Sequence, residues 1–165
     1  SIPYDNINTL FVDKDNVLWA GTWGEGVFSF NGSTFKSYNS FRNGLVSNYI
    51  RDIAQDNNGN MWFASGNFSG GGGISRLSNG FITNITQYNS AMEGSIITSI
   101  TFDKYNNIWI TAPDAGMQFR EGSRWRLYNK DNSGIASSSP TGLAIDTDGT
   151  KWVLSDGISR YIGYR

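Results

Sequence analysis

Apolar residues in this chain fall in short runs that alternate with polar positions and are broken every few residues by Gly, Asn, Asp or Ser. No stretch sustains the 3.6-residue period of an amphipathic helix, so strands are predicted throughout. Near the start the runs are Ile7 to Val12, Val17 to Thr22, Gly26 to Phe30 and Thr34 to Tyr38. Asp13-Lys14-Asp15-Asn16 separates the first two and Asn31-Gly32-Ser33 the last two. These residue types tolerate positive φ and close tight hairpins. Four runs joined in this way predict a four-stranded antiparallel meander.

The meander recurs along the chain, and a period of this length decides the fold before any single element does. Trp19, Trp62, Trp109 and Trp152 stand 43, 47 and 43 positions apart, each with an Asp six residues before it: Asp13, Asp56, Asp103 and Asp146. Asn57-Asn58-Gly59, Asn106-Asn107 and Asp148-Gly149 repeat the first turn, and Tyr38, Tyr88 and Tyr128, each followed by Asn, close the first three units. The units run over about 1–43, 44–93, 94–135 and 136–165. A single small sheet cannot bury both of its faces, so the units must stack, and radial stacking of four-stranded sheets makes a β-propeller. The repeated Trp, with apolar neighbours on the opposite face as in Leu18-Trp19-Ala20, is expected in the core between blades. The fold class is all-β: a β-propeller of four-stranded antiparallel blades, four units in this chain.

Composition narrows the chemistry. The chain has 165 residues, 13 Lys+Arg against 14 Asp+Glu, and neither Cys nor His. Nucleophilic triads, redox dithiols, imidazole proton shuttles and thiolate or imidazole metal sites are therefore excluded. The near-neutral balance offers no basic face for nucleic acid, and no apolar run approaches the roughly 20 residues that span a bilayer. The first residues, Ser1 to Asp5, do not read as a signal peptide. Asp13-Lys14-Asp15 and Asp146-Thr147-Asp148-Gly149 have carboxylates at alternate positions, but they coincide with the repeated turns, where an Asp side chain accepting turn amides is the better account than calcium. Gly70 to Gly73 lacks the Lys-Ser/Thr and helix of a phosphate loop. No cofactor or metal is expected.

The segment Ile50-Arg51-Asp52-Ile53-Ala54-Gln55-Asp56-Asn57-Asn58-Gly59-Asn60-Met61-Trp62, together with Ala20-Gly21-Thr22 after the first Trp, resembles the two-component regulator propeller repeat. That family is abundant in periplasmic sensor regions of hybrid histidine kinases, notably in Bacteroidetes. The resemblance implies a sensor role and a periplasmic or extracellular location. Gly-Thr is replaced by Ala64-Ser65, Thr111-Ala112 and Leu154-Ser155 in the other units, and no kinase, receiver or DNA-binding segment is present in the chain.

Aligning Gly157 to Ile162 with Gly26 to Asn31 leaves the fourth unit without its outer strand, and Ile2-Pro3-Tyr4 aligns ahead of a first strand and does not supply it. Three arrangements stay open: a part of a larger propeller, two chains closing an eight-bladed ring as a homodimer, or a closed four-bladed monomer.

In such a meander the regular Asp/Asn/Gly turns lie on one face and the variable connections on the other. Binding is expected on the variable face. Its candidate residues are Trp23, outside the repeated register, with Glu25 beside it; Asn67 and Phe68 in Ser65 to Gly73, read as the longest loop; and Asp114 and Asp156. An aromatic platform beside a carboxylate suits a carbohydrate or peptide. Trp125, flanked by Arg124 and Arg126, reads as a protein contact or a snorkelling edge. The leading expectation is a non-enzymatic ligand-binding or protein-interaction module. The alternatives are a carboxylate-dependent hydrolase or lyase using Glu25, Glu93, Asp114 or Asp156, and a purely structural oligomerisation unit.

Overall fold

The computed structural model describes residues 6–163 except residue 70. The expectation for Ile2-Pro3-Tyr4 therefore lies outside the described residues. The chain forms four antiparallel meanders in sequence order. The first is β1 (Ile7–Val12), β2 (Leu18–Thr22), β3 (Val27–Phe30) and β4 (Phe35–Tyr38); the second is β5 (Ile50–Gln55), β6 (Met61–Asn67), β7 (Gly71–Ser78) and β8 (Phe81–Ile85). The third is β9 (Ser99–Phe102), β10 (Ile108–Ala112), β11 (Gly116–Glu121) and β12 (Arg124–Tyr128). The fourth has three strands among the described residues, β13 (Gly142–Ile145), β14 (Lys151–Leu154) and β15 (Ile158–Tyr161), and lacks the outer strand, as the alignment predicts. Among the described residues helix is confined to one turn, α1 (Ser40–Asn43), capped by Asn39 between the first two sheets. Consecutive sheets pack face to face with β1 against β5, β5 against β9 and β9 against β13, the blade arrangement of a propeller.

Each first hairpin is built by its repeated Asp. In the second blade, one carboxylate oxygen of Asp56 accepts the backbone N–H groups of Asn58 (3.0 Å) and Asn60 (2.8 Å), and the other accepts the Trp62 indole N–H at 3.0 Å. Asp13, Asp103 and Asp146 bind Trp19, Trp109 and Trp152 in the same way at 2.8, 3.2 and 2.9 Å. The residue three before each Trp takes positive φ: Asn16 at 59°, Gly59 at 84°, Asn106 at 67° and Gly149 at 83°. Only Asn and Gly adopt this conformation at low cost, which is why those types recur there. The carboxylates at these turns thus serve backbone amides and an indole.

The indole faces the next blade. Trp19 lies 5.8 Å from Phe63 and shares a core with Leu45, Ile50, Ile53 and Met61, while Trp62 lies 5.6 Å from Phe102 and packs with Ile97, Ile100 and Ile110. Trp109 packs with Ile135 and Val153, under the Lys151 ammonium at 4.4 Å. These three indoles are 6%, 6% and 2% exposed, but Trp152 is 41% exposed, because among the described residues no sheet covers the outer face of the fourth blade. The expectation of an interblade core therefore holds for three of the four Trp. At the other end Leu10 is 62% exposed, whereas its register equivalents Ile53 and Ile100 are buried. The first and fourth blades leave these faces open, unlike those of a closed four-bladed ring.

Three further readings are corrected. Ser65 to Gly73 is mostly not loop: β6 and β7 stay paired as far as Asn67 and Gly71, so the segment is a lengthened hairpin. Ile85, rather than Tyr88, occupies the position of Tyr38 and Tyr128, since it pairs with Ile74 as they pair with Val27 and Met117. Trp125 is neither a protein contact nor a free edge; it packs inward on the core between the second and third blades, with the Arg120 guanidinium 5.7 Å from its ring.

Candidate functional site

The β2–β3 connections and the linkers between blades share one rim. Trp23 follows β2 and makes an isolated bridge with Tyr49 of the next linker. The Tyr49 ring meets the indole edge-on at 5.6 Å, and the Arg51 guanidinium lies over it at 4.8 Å. Arg51 also donates its Nε to the Gly66 carbonyl at 2.7 Å. Burial lowers the Arg51 pKa from its ordinary value, but an arginine in a protein keeps its charge. Trp23 is thereby held from two sides while 44% exposed. Glu25 stands exposed in the same connection, its backbone N–H bound by the Thr22 hydroxyl at 2.9 Å.

The rim is stitched onward. The Ile97 amide donates to the Ser65 carbonyl at 3.2 Å, and Asp114 accepts the Ser95 amide at 3.0 Å. Trp23, Arg51, the Gly66–Asn67 corner, Ser95 and Asp114 thus form a continuous run across three blades. Asn67 accepts the Ser69 amide at 3.2 Å and supports the hairpin tip, where Phe68 is 90% exposed. Asp156 is exposed on the fourth-blade hairpin and is not tied into this run. Asp114 has a structural partner, so its carboxylate anchors the linker as well as facing solvent. Among the described residues no three acidic side chains converge as a metal site.

Tyr49 and Arg51 were missed by the sequence reading. The signal was present: eleven residues before the repeated Trp stand Asn8, Arg51, Thr98 and Thr141, so Arg51 breaks a series of small polar residues. Lys151 is a similar break, since Leu18, Met61 and Ile108 precede the other Trp residues. It is buried, and desolvation lowers its pKa against the opposing pull of Asp103 and Asp146. Lys151 lies on the wall of a cleft of about 1100 Å³ between the third and fourth blades, lined on the outer side by Phe119, Arg126 and Tyr128. The cleft reaches the regular turns Asp103–Asn107 and Asp146–Thr150, so it lies away from the rim.

No described helix is long and apolar enough to cross a membrane. A sequence comparison with curated proteins finds no match. The extracellular domain assigned to the hybrid two-component system BT3049 of B. thetaiotaomicron is similar in structure (TM-score 0.79, 22% identity), with 94% of this chain and 21% of that one covered. The extracellular domain assigned to the one-component system BT4673 of the same organism matches at TM-score 0.74 and 23% identity, over 92% of this chain and 22% of that one. Virginiamycin B lyase from Staphylococcus aureus, solved with quinupristin, matches at TM-score 0.72 and 17% identity, over 98% and 57%. The chain spans about a fifth of the first two proteins, and at these identities the likeness establishes the fold. The family model described as two component regulator propeller matches residues 1–24 and 44–67, which contain the first two Asp–Trp hairpins. Those two segments thus match the two-component regulator propeller repeat.

Proposed function

We propose that the chain is a non-enzymatic recognition propeller of the sensor type, working outside the cytoplasm and holding a glycan or peptide along the rim from Trp23 to Asp114. The observation that carries this reading is Trp23: an indole outside the repeated register, nearly half exposed, yet fixed by Tyr49 and Arg51. A rigid aromatic anchor loses little conformational entropy on binding and offers stacking area to a sugar ring or a side chain. The similarity to extracellular domains of signalling proteins supports the location and the sensor type. Titration with a glycan and peptide panel, followed by intrinsic fluorescence, tests it. Trp23→Ala is expected to weaken binding at least about tenfold, the loss of one anchor contact, and unchanged affinity removes the rim as the site. Turnover of a panel member that is abolished by Glu25→Gln or Asp114→Asn would instead favour the hydrolase or lyase alternative.

A second reading rests on the open flanks. Ile158 is 73% exposed, whereas its register equivalents Val27, Ile74 and Met117 are fully buried against a following blade. The first blade's Leu10 and Val12 belong to the opposite, mating face and are exposed in the same way. Two copies joined fourth blade to first would close a ring of eight blades and cover both faces twice. Light scattering is expected to give twice the chain mass, reverting to the single mass in Leu10→Asp; a monomer at high concentration discards the pairing.

A further inference from the structure

We propose that the layer between the second and third blades holds a site for a tetrahedral oxyanion, phosphate or sulfate, bound by Arg76, Arg120 and the Trp125 indole. The site goes beyond the rim reading and does not depend on it. Arg76 pairs with Trp62 next to the regular turns, at the end of the sheets away from Trp23. Among the described residues four side-chain polar atoms are buried without a hydrogen-bond partner, and three of them are Arg76 Nε, Arg120 Nε and Trp125 Nε1. All three are donors that cannot accept. Buried polar groups in native proteins have a partner in the large majority of cases, so three orphaned donors in one layer call for an acceptor.

Register places them on facing walls. Trp62, whose indole faces the third blade, is the cross-strand partner of Arg76, and the Arg76 guanidinium carbon lies 5.5 Å from the centre of its ring. On the other wall Arg120 pairs with both Ile108 and Trp125, which belong to the core beneath Trp62. The Arg120 guanidinium carbon lies 5.7 Å from the centre of the Trp125 ring. Directly paired residues share one face of a sheet, so a guanidinium enters this layer from each blade. Burial, and then the charge of Arg76, lower the Arg120 pKa, but arginine keeps its proton. The turn carboxylate of the second blade, Asp56, is already engaged by Asn58, Asn60 and Trp62.

The repeat itself does not require these charges. In the layer between the first and second blades the same three positions are Ser29, Leu77 and Ile82. Ser29 lines a shallow cleft of about 150 Å³ there, together with Trp19 and the exposed Asn31 and Lys36, so this end of a layer is reached from solvent. Two like charges brought together out of water cost free energy unless an opposite charge joins them. A guanidinium fork matches two oxygens of a phosphate or sulfate through short charge-assisted bonds. Stacking on an indole face leaves the donors in the guanidinium plane available. A tetrahedral anion presents oxygens to both walls and to the indole N–H together, whereas the oxygens of a carboxylate lie in one plane.

The test uses the 165-residue chain, isotope-labelled and titrated at constant ionic strength with inorganic phosphate, inorganic sulfate, their phenyl esters, acetate and chloride. The Trp125 indole N–H resonance, assigned by its loss in Trp125→Phe, is expected to shift saturably with phosphate or sulfate. Saturation by the inorganic ions alone identifies a site for the free ion, and saturation by the phenyl esters as well identifies one open to an esterified group; either supports the proposal. Arg76→Gln and Arg120→Gln are each expected to weaken the affinity at least about tenfold, the loss of one charged hydrogen-bonding partner. Melting curves without anion show whether each variant is folded, and the lysine variants, which keep the charge and lose the fork, replace any that is not and are expected to weaken binding in the same direction. No saturable shift at millimolar phosphate or sulfate overturns the proposal. So does a shift of the same size and midpoint with chloride, or an affinity unchanged by substitution of both arginines.

Discussion

Trp62 and Trp152 occupy the same register position and make the same indole bond to an Asp, but only Trp62 has a blade packed on it. Replacing each with Ala therefore separates the interblade contact from the local hairpin. A fully buried Trp→Ala change costs about 3–5 kcal/mol through lost transfer energy and the cavity left behind. Trp152 is 41% exposed against 6% for Trp62. The difference is about a third of a side chain of roughly 250 Å², or about 90 Å², worth about 2 kcal/mol at 25 cal/mol per Å². Trp62→Ala is expected to cost about 4 kcal/mol and Trp152→Ala about 2 kcal/mol or less in the monomer. Urea unfolding followed by far-ultraviolet circular dichroism, at a concentration where scattering shows single chains, measures both. Equal losses in the monomer would refute the assignment of Trp152 to an uncovered face. If two copies pair, the Trp152→Ala loss is expected to grow with protein concentration while that of Trp62→Ala does not, because binding to the native state adds stability by mass action.

Acid should weaken the fold through the turn carboxylates. Desolvation acts to raise the Asp56 pKa, but bonds from Asn60, Trp62 and Asn58 outweigh it and hold the group below its ordinary value. Its stabilising contribution is therefore present above the usual carboxylate range and lost as pH falls through the lowered value; thermal melts from neutral to acid pH are expected to show a shallower acid decline in Asp56→Asn, and an unchanged slope would count against it. Asp52 has the opposite sign, since burial raises its pKa despite bonds from Ile100, Ser99 and Ile53; its contribution is largest when protonated at low pH and falls as pH rises through the raised value, so Asp52→Asn is expected to steepen the acid decline. Gly21→Ala would place a Cβ 2.5 Å from Ile50 Cγ2 and 2.7 Å from Thr9 Cγ2, and an overpacking loss of about 1–3 kcal/mol is expected in urea unfolding; a neutral effect would show that the first two blades can slide apart. Hydrogen exchange is expected to be fastest in the fourth blade, which has one packed face and three strands, and slowest in the second and third; uniform protection would contradict a blade-by-blade array.

The sequence made the scaffold legible because its determinants are local and repeated. An Asp six residues before a Trp, with Asn or Gly between them in a left-handed turn, specifies one hairpin, and four copies specify the stack. The misreadings arose where spacing changed. Ile74 lies twelve residues after Trp62, whereas Val27 lies eight after Trp19, so the lengthened β6–β7 hairpin shifts all that follows it in the second unit. Tyr88 was then matched by residue type although Ile85 holds the position. Trp125 was misjudged because its flanking arginines suggested an exposed strand, while strand alternation turns its indole to the opposite face. The rim partners Tyr49 and Arg51 were invisible to motif reading because their contacts to Trp23 cross from one blade to the next.

The repeat separates supporting side chains from those free to differ. On the regular face, each invariant Asp is occupied by turn amides and an indole, so a substitution there acts first on stability. On the rim, Trp23, Glu25 and Phe68 are exposed at positions the meander does not need, and their neighbours Thr22, Arg51 and Asn67 hold the backbone beneath them. Recognition can therefore change on the rim without disturbing the hairpins. The fourth blade is open for a different reason: its apolar positions follow the same register as the buried ones, but among the described residues no sheet packs on its outer face. The exposed side chains of the rim and the carboxylates of the regular turns therefore draw on different positions of the same repeat, so a substitution at Trp23 or Phe68 leaves the Asp–indole bonds of the hairpins in place.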